Sequence, residues 1–122
     1  MNAQHPIPIL RSFNEETARS FYLDFLGFTV VFEHRFDETS ALYMGVIKDQ
    51  CALHLSEHHG DACPGSTLRI EVDDVDTFCK ELNDKRYSNA RPGVMKQPWG
   101  YKDMVIDDPA GNRLIFCTPI EN

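Results

Sequence analysis

The sequence predicts an α+β fold made of two tandem β-α-β-β-β modules, and two observations lead to this prediction. The order of one strand, one amphipathic helix and three strands occurs twice, with an offset of roughly 60 residues. A module of this size cannot cover its own open sheet, so the pairing of two copies is the physical solution. With 122 residues, of which 42% are hydrophobic, the chain can bury one ordinary core. We therefore predict a single domain over 1–122, with repeats at 6–57 and 66–119 joined by a polar linker at 58–65.

The first module is expected to begin with an edge strand and a capped helix. Residues 6–13 are rich in β-forming side chains, but two prolines among them cannot donate hydrogen bonds to a sheet. Asn14 is a suitable N-cap, and Glu15 and Glu16 place negative charge in the first helical turn, where the helix dipole favours it. The apolar residues that follow recur on one helical face: Ala18, Phe21, Tyr22, Phe25 and Leu26. Gly27 predicts the end of the helix.

Three further strands are expected to complete the first module. Residues 29–36 have the composition of a strand, and residues 42–47 and 51–56 predict a hairpin around 48–50. The alternation of apolar with small or polar residues in 51–56 indicates a strand with one buried face.

The second module repeats this order. An alternating strand precedes Asp74, which is a suitable N-cap for the second helix. The apolar residues of that strand and helix are Leu68, Ile70, Val72, Val75, Phe78, Cys79 and Leu82. An irregular stretch is expected around 91–93, and the chain ends with strands at 102–106 and 113–118 joined by a turn at 107–112.

Charge and composition exclude several classes of function. The net charge of −7 argues against nucleic-acid binding, which needs clustered Lys and Arg. No apolar run approaches the roughly 20 residues of a membrane span, and residues 1–6 lack the basic-then-apolar pattern of an export signal. We therefore expect a cytoplasmic protein without a membrane partner.

The four cysteines are scattered, with no C-x-x-C pair, and are expected to be reduced thiols: Cys51, Cys63, Cys79 and Cys117.

A histidine-rich stretch at 54–66 contains the letters H-x-x-E-H, which is the inverted zinc-peptidase pattern. That motif requires its two histidines one helical turn apart, whereas residues 51–56 have the period of a strand. On a strand, His54 and His58 would lie about 13 Å apart. We therefore reject a zinc peptidase.

The linker at 58–65 leaves two interpretations open. His58, His59, Asp61 and Cys63 are competent ligands in type. The alternative, which we favour, is a polar turn between the modules. His54 itself is interpreted equally well as a ligand contact or as a structural histidine.

The whole chain resembles the vicinal-oxygen-chelate superfamily, which includes glyoxalase I, extradiol dioxygenases and bleomycin-resistance proteins. The segment Phe21-Tyr-Leu-Asp-Phe-Leu-Gly-Phe28 is similar to a superfamily motif. Gln97-Pro-Trp-Gly100, Asp108-Pro-Ala-Gly-Asn112 and Phe116 resemble the bleomycin-resistance branch, to which the similarity is closest. The resemblance implies cupped mixed sheets, a homodimer, and a hinge at Pro8 where subunits of that branch exchange the N-terminal strand.

The enzymes of this superfamily hold a divalent metal with four side chains, two from each half. Carried onto this chain, the resemblance places the four positions at Ile7, His54, Thr67 and Ile115. Isoleucine cannot coordinate a cation and threonine is a poor ligand. We therefore expect neither a metal nor another cofactor.

The same resemblance selects aromatic ligand contacts. A tryptophan at the position of Trp99 lines the drug groove between two subunits in the bleomycin-resistance branch, and its face can stack on a planar heterocycle or attract a cation. The alternative role for Trp99 is a plug in the dimer seam. Phe32 and Phe36 lie in the region that supplies further aromatic residues, with core packing as their alternative role.

A polar floor is the remaining predicted part of the site. Arg69 and Glu71 alternate with apolar residues and should face the concave side of the sheet. Together with His54 and Arg113, they would suit a ligand with hydrogen-bonding groups, a carboxylate or a phosphate. The alternative is an Arg–Glu ladder that only satisfies buried polarity.

The favoured function is a metal-independent binding protein and not an enzyme. It would sequester a bulky, cationic, antibiotic-like ligand in grooves at a homodimer interface, as expected for antibiotic resistance of the bleomycin type. One alternative is a lyase, isomerase or dioxygenase-like enzyme of the superfamily, with His54 or Glu71 as general base. Another is a dimeric binding module for a different metabolite, since one fold hosts many activities.

Overall fold

The computed structural model describes residues 1–35 and 37–120, which divide into two compact units at Pro64 and Gly65. The boundary falls in the segment 58–65. Each unit contains one helix and a four-stranded mixed sheet. The predicted α+β class and the repeated β-α-β-β-β order are therefore confirmed.

The first unit contains four strands and a helix that changes its winding. The elements, in chain order, are β1 (Ile9–Arg11), α1 (Glu15–Arg19), a π-helical continuation (Ser20–Phe25), β2 (Thr29–His34), β3 (Tyr43–Lys48) and β4 (Cys51–Ser56). The sheet order is β1-β4-β3-β2, with β1 parallel to β4 and the other pairs antiparallel. Strands β1 and β2 therefore form the two edges of this sheet, as the prolines near β1 predict.

The second unit has the same topology. Its elements are β5 (Thr67–Glu71), α2 (Val75–Asp84), β6 (Val94–Lys96), β7 (Tyr101–Asp107) and β8 (Arg113–Pro119). The sheet order is β5-β8-β7-β6, with β5 parallel to β8. Each helix therefore connects two strands that end on opposite edges of their own sheet.

The helix ends follow the local sequence signals. The side-chain oxygen of Asn14 accepts a hydrogen bond from the amide of Thr17 (3.0 Å), and Asp74 does the same for Thr77 (3.1 Å). Gly27 adopts φ +87°, a left-handed conformation that glycine takes without strain. The predicted caps and the predicted end of the first helix are confirmed.

Two local predictions need correction. The strand predicted at 29–36 ends at His34, and Phe36 lies outside the described residues. The segment after the irregular stretch at 91–93 forms the short strand β6. Three residues, Val94–Lys96, pair with β7, which is too short a run for alternation to be recognised in the sequence.

Each sheet has one buried and one open face. In the first unit the buried face carries Leu10, Met44, Val46, Leu53 and Leu55. In the second unit it carries Met104, Ile106, Leu114 and Phe116, and the ring of Phe116 packs edge-to-face on Phe78 of α2 at 5.0 Å. Residues at the alternate strand positions point away from this buried side, and they form the open faces described below.

The turn Asp108-Pro-Ala-Gly-Asn112 has a structural role. The Asp108 carboxylate accepts hydrogen bonds from the backbone amides of Ala110 (2.9 Å) and Asn112 (2.8 Å). The Asn112 side chain is fully buried, and its oxygen accepts from the amide of Ser66 (3.3 Å). This motif closes the β7–β8 hairpin and ties it to the start of β5.

No helix among the described residues is long and apolar enough to cross a membrane.

Candidate functional site

The open face of the first sheet carries three neighbouring ring side chains. The register places Gly45 of β3 between Phe32 of β2 and His54 of β4, and Tyr43 lies two residues before Gly45 on the same face. We call Phe32, Tyr43 and His54 the aromatic cluster. It contains two of the predicted site residues, Phe32 and His54, together with Tyr43, which was not predicted from the sequence.

The rings of the aromatic cluster are in direct contact. Phe32 and Tyr43 are nearly parallel, with centroids 6.1 Å apart and planes inclined by 16°. His54 stands almost perpendicular to both, 5.1 Å from Phe32 and 5.3 Å from Tyr43. Phe32 remains 40% exposed, so the cluster presents aromatic surface outward. Such surface is suited to stacking against a planar group.

Gly45 allows Phe32 to lie close to the sheet. A Cβ atom at position 45 would lie 2.3 Å from the nearest carbon of the Phe32 ring, which is far inside van der Waals contact. Glycine is therefore required at this position for the observed ring placement.

The cluster also contains a polar contact. The hydroxyl of Tyr43 lies 2.7 Å from Nδ1 of His54. Burial raises the pKa of Tyr43, and the nearby carboxylate of Asp61 raises it further. The hydroxyl is therefore protonated at neutral pH and available as a hydrogen-bond donor.

The histidine-rich segment after β4 is folded as a turn. The Ser56 hydroxyl donates to the Asp61 carboxylate (2.6 Å) and accepts from the backbone amide of His58 (3.1 Å). The amide of Asp61 donates to the carbonyl of His58 (3.2 Å). No group of three or more His, Cys, Asp or Glu side chains suited to a metal ion occurs within residues 1–35 and 37–120. These contacts are those of a polar turn, the interpretation favoured from the sequence.

The open face of the second sheet carries a network of paired polar side chains. Both terminal nitrogens of Arg69 donate to the two carboxylate oxygens of Asp103, at 3.0 and 2.9 Å. The Arg69 guanidinium also lies over the ring of Tyr101, 5.4 Å from its centroid, and the Tyr101 hydroxyl donates to Glu71 (3.2 Å). We call Arg69, Glu71, Tyr101 and Asp103 the polar network.

The charged members of the polar network are paired within it. Arg69 and Glu71 lie on the expected face, and each pairs with a residue of β7 rather than with the other. The hydrogen bonds to Asp103 raise the pKa of Arg69, and the hydrogen bond to Glu71 raises the pKa of Tyr101. Since Asp103 is only 4% exposed, its carboxylate depends on Arg69 for charge compensation.

Trp99 and Arg113 lie outside the polar network. Trp99 is 61% exposed in the turn between β6 and β7, where Gly100 adopts φ +91°. Arg113 begins β8 and pairs with Asp107 at 3.2 Å, and both side chains are more than half exposed. The register places Arg113 opposite Thr67, whereas Arg69 lies opposite Ile115.

The residues at the superfamily's metal positions do not fit a metal. The register places Ile9, rather than Ile7, opposite His54, and Arg69, rather than Thr67, opposite Ile115. With either assignment, two positions are isoleucine, and in the observed register a third is a cationic arginine. Among these four positions His54 alone offers a donor nitrogen, and one donor does not make a metal site.

A family model described as glyoxalase superfamily protein matches residues 1–122. The chain belongs to the glyoxalase superfamily. Because the match spans the entire chain, it confirms the resemblance to this superfamily that the sequence motifs indicate. A comparison with curated protein sequences finds no match.

Several solved structures share the fold of this superfamily member. The antibiotic-binding protein TnmS3 from Streptomyces sp. CB03234 is 23% identical, with a TM-score of 0.73 over 98% of each chain. A glyoxalase-related enzyme from Clostridium phytofermentans is 18% identical, with a TM-score of 0.78 over 98% of each chain. A bleomycin-binding protein solved with bleomycin is 23% identical, with a TM-score of 0.65 over 95% of this chain and 98% of its own. Enzymes and binding proteins thus share this fold, which does not itself determine the function.

Three residues of these faces were not predicted from the sequence: Tyr43, Tyr101 and Asp103. Tyr43 begins β3, where it follows the loop, and only the register of the hairpin brings it beside His54. Asp103 directly precedes the apolar run Met104-Val-Ile106, and that position was the available signal for a buried carboxylate paired with Arg69.

Proposed function

We propose that this protein binds a bulky, antibiotic-like small molecule without a metal ion and without breaking a bond in it. The observation that carries this proposal is the aromatic cluster on the open face of the first sheet. Phe32 and Tyr43 offer ring surface there, and His54 offers a polar group beside it. This combination suits a ligand that has a planar apolar part and a few hydrogen-bonding groups.

Charge supports a cationic ligand. The chain carries a net charge of −7, which raises the local concentration of cations near its surface. Exposed aromatic rings add a short-range attraction for a cationic group that lies over the ring face. In the second unit, the ring of Trp99 is also 61% exposed.

The donor chemistry supports binding over metal-assisted catalysis. The positions that hold the metal in the superfamily's enzymes carry isoleucine and arginine in this chain, and His54 is the single competent ligand among them. The fold shared with TnmS3 and with the bleomycin-binding protein is compatible with this proposal.

A homodimer remains part of the proposal. All six residues of the edge strand β2 are exposed, including Val30, Val31 and Phe32. Contiguous exposed apolar side chains on an edge strand are typical of an association surface. Light scattering at several protein concentrations should give twice the 14.0 kDa mass of the chain, and a 14.0 kDa particle throughout would contradict the dimer.

The proposed binding can be tested with metal-free bleomycin by isothermal titration calorimetry. We expect saturable binding at micromolar drug. Phe32→Ala should weaken binding about tenfold or more, in the range of a well-packed aromatic contact. Phe13→Ala is the matched control, because Phe13 is an exposed phenylalanine of the same unit and lies outside both β2 and the aromatic cluster.

Two outcomes would show whether bleomycin is the wrong ligand or the proposed binding site is wrong. Absence of binding to bleomycin, together with binding of other planar cations that depends on Phe32, would retain the binding function and reject that drug. Equal affinities of wild type and Phe32→Ala for every ligand tested would contradict the proposed site.

A lyase or isomerase is the second candidate, and one contact favours it. The hydrogen bond between Tyr43 and His54 joins two groups that can transfer protons. An enzyme of this kind should convert a bound ligand, and mass spectrometry of the recovered ligand would detect the change. Recovery of an unaltered ligand after prolonged incubation supports the binding function.

A further inference from the structure

The two ring nitrogens of His54 have different surroundings. Nδ1 lies 2.7 Å from the Tyr43 hydroxyl. Nε2 has no hydrogen-bond partner among residues 1–35 and 37–120. Within the same residues, every histidine nitrogen that is buried has a hydrogen-bond partner. Because Nε2 of the half-buried His54 ring has none, this nitrogen is exposed to solvent. His54 therefore has one nitrogen engaged within the protein and one available to a ligand.

The contact with Tyr43 selects one tautomer of the neutral imidazole. A phenol O–H is a stronger acid than an imidazole N–H, and an imidazole nitrogen is a stronger base than a phenol oxygen. The favoured hydrogen bond therefore runs from the Tyr43 hydroxyl to Nδ1 of His54. The hydrogen bond at one ring nitrogen determines which nitrogen carries the proton, so the proton of the neutral ring is at Nε2.

We infer that the aromatic cluster binds a planar, mainly apolar ligand through a neutral hydrogen-bond acceptor, such as a ring carbonyl oxygen, that accepts from Nε2–H of His54. This inference rests on the proposed binding function and adds the chemical class of the group bound. The apolar ring of the ligand lies along Phe32, and its acceptor atom reaches His54.

The immediate surroundings of His54 suit a neutral acceptor. Ile9, opposite His54 in the register, adds an apolar side chain. Arg11 lies opposite Ser56, whose hydroxyl donates to the Asp61 carboxylate (2.6 Å), so a cationic and an anionic side chain both border this face. The rings of Phe32 and Tyr43 flank His54 and lower the local polarity, which strengthens a hydrogen bond to a neutral acceptor.

The tautomer can be measured without a ligand. Protein labelled with nitrogen-15 in its histidines is studied by NMR at a pH of about 8.5, where an ordinary imidazole is neutral. We expect the resonances of His54 to show a proton on Nε2 and a bare Nδ1. Tyr43→Phe should shift the ring toward a mixture of tautomers. A proton on Nδ1 in the wild type, or an unchanged spectrum in Tyr43→Phe, would overturn the inference.

The acceptor is tested with two fragments of the same carbon skeleton, 1-indanone and indane, which differ by the carbonyl oxygen. Amide chemical-shift changes give both affinities in wild type and in His54→Phe, which keeps an aromatic ring at the position. We expect the ratio of ketone affinity to hydrocarbon affinity to be about fivefold higher in wild type, as one additional hydrogen bond provides. Tyr43→Phe should give an intermediate ratio, because His54 remains but its tautomer is no longer fixed.

The outcomes distinguish the inference from the proposed function. Equal ratios in wild type and His54→Phe, with both fragments bound at Phe32, would overturn the acceptor and leave the binding function supported. Failure of both fragments to perturb the amides of β2, β3 and β4 would contradict the binding site itself, and the ligand class with it. A ratio of ketone affinity to hydrocarbon affinity that is higher in wild type than in His54→Phe, together with a proton on Nε2, supports both the acceptor and the binding function.

Discussion

The ring of Phe32 lies so close to Gly45 that a Cβ atom at position 45 would be 2.3 Å from the ring. The backbone of Gly45 is not in the left-handed region, so other residues can adopt its conformation. What glycine provides here is space for the Phe32 ring. The placement of that ring beside Tyr43 and His54 therefore depends on a residue that makes no side-chain contact of its own.

Gly45→Ala is expected to displace Phe32 and to lower the free energy of unfolding by about 1–3 kcal/mol, the usual cost of overpacking. Alanine would otherwise be favoured over glycine within a strand by roughly 0.5–1 kcal/mol. Urea unfolding of Gly45→Ala, Phe32→Ala and the double variant checks the prediction. We expect the double variant to recover most of the loss caused by Gly45→Ala, because the overlapping ring is gone. Strictly additive effects would show that the contact is not responsible.

The ion pair between Arg69 and Asp103 gives a second prediction. Arg69→Met should lower the urea midpoint at pH 7, because the buried Asp103 carboxylate loses its cation. Asp103→Asn in the same chain should restore part of the midpoint, since the uncompensated charge is then removed. Arg113→Met is the matched control, because the pair that Arg113 forms with Asp107 is exposed on both sides and contributes little. Similar midpoints for Arg69→Met and Arg113→Met would contradict a special role for the buried carboxylate.

The elements that the sequence predicts well are those determined by local contacts. Asn14 and Asp74 cap helices through hydrogen bonds to residues three positions away, so the capping signals can be read within one turn. The helical period identified the buried face of the first helix. The same period could not reveal that Ser20–Phe25 is π-helical, because one added residue per turn leaves the apolar residues on nearly the same side.

The site was only partly predictable because its contacts depend on strand register. Tyr43 and His54 are 11 residues apart, and their contact requires the hairpin pairing that places Gly45 opposite His54. Arg69 and Asp103 are 34 residues apart and come together through β8, which lies between their strands. Alternation gave the correct face for Arg69, but it contains no information about the partner on another strand.

The four cysteines should differ in reactivity in the native protein. Cys63 is exposed, whereas Cys117 is buried and burial raises its pKa; burial also raises the pKa of Cys51 and of Cys79. Because the thiolate is the reactive form, a thiol reagent at pH 8 should label one site rapidly and the others slowly. Mass spectrometry should locate the fast label on Cys63, and Cys63→Ser should abolish the fast phase. Rapid labelling of Cys117 would contradict the packing of β8.

The acid sensitivity of the first helix follows from Glu15. Its carboxylate accepts a hydrogen bond from Arg19 (2.9 Å) and pairs with Arg35, and these two contacts lower the pKa of Glu15, the one from Arg19 most strongly. A carboxylate whose pKa is lower in the folded state stabilises the fold above its unfolded pKa of about 4.3, and this contribution is lost as the pH falls through the folded value.

We therefore expect Glu15→Gln to reduce the free energy of unfolding by about 0.5 kcal/mol at pH 7, a value typical of a partly exposed ion pair. The difference from wild type should shrink steadily below a pH of about 4. Urea unfolding at a series of pH values measures it. Glu16→Gln is the control, since Glu16 shares the first helical turn but is exposed and forms no ion pair within the described part of the chain. A constant difference down to a pH of about 2 would show that the ion pairs of Glu15 do not contribute.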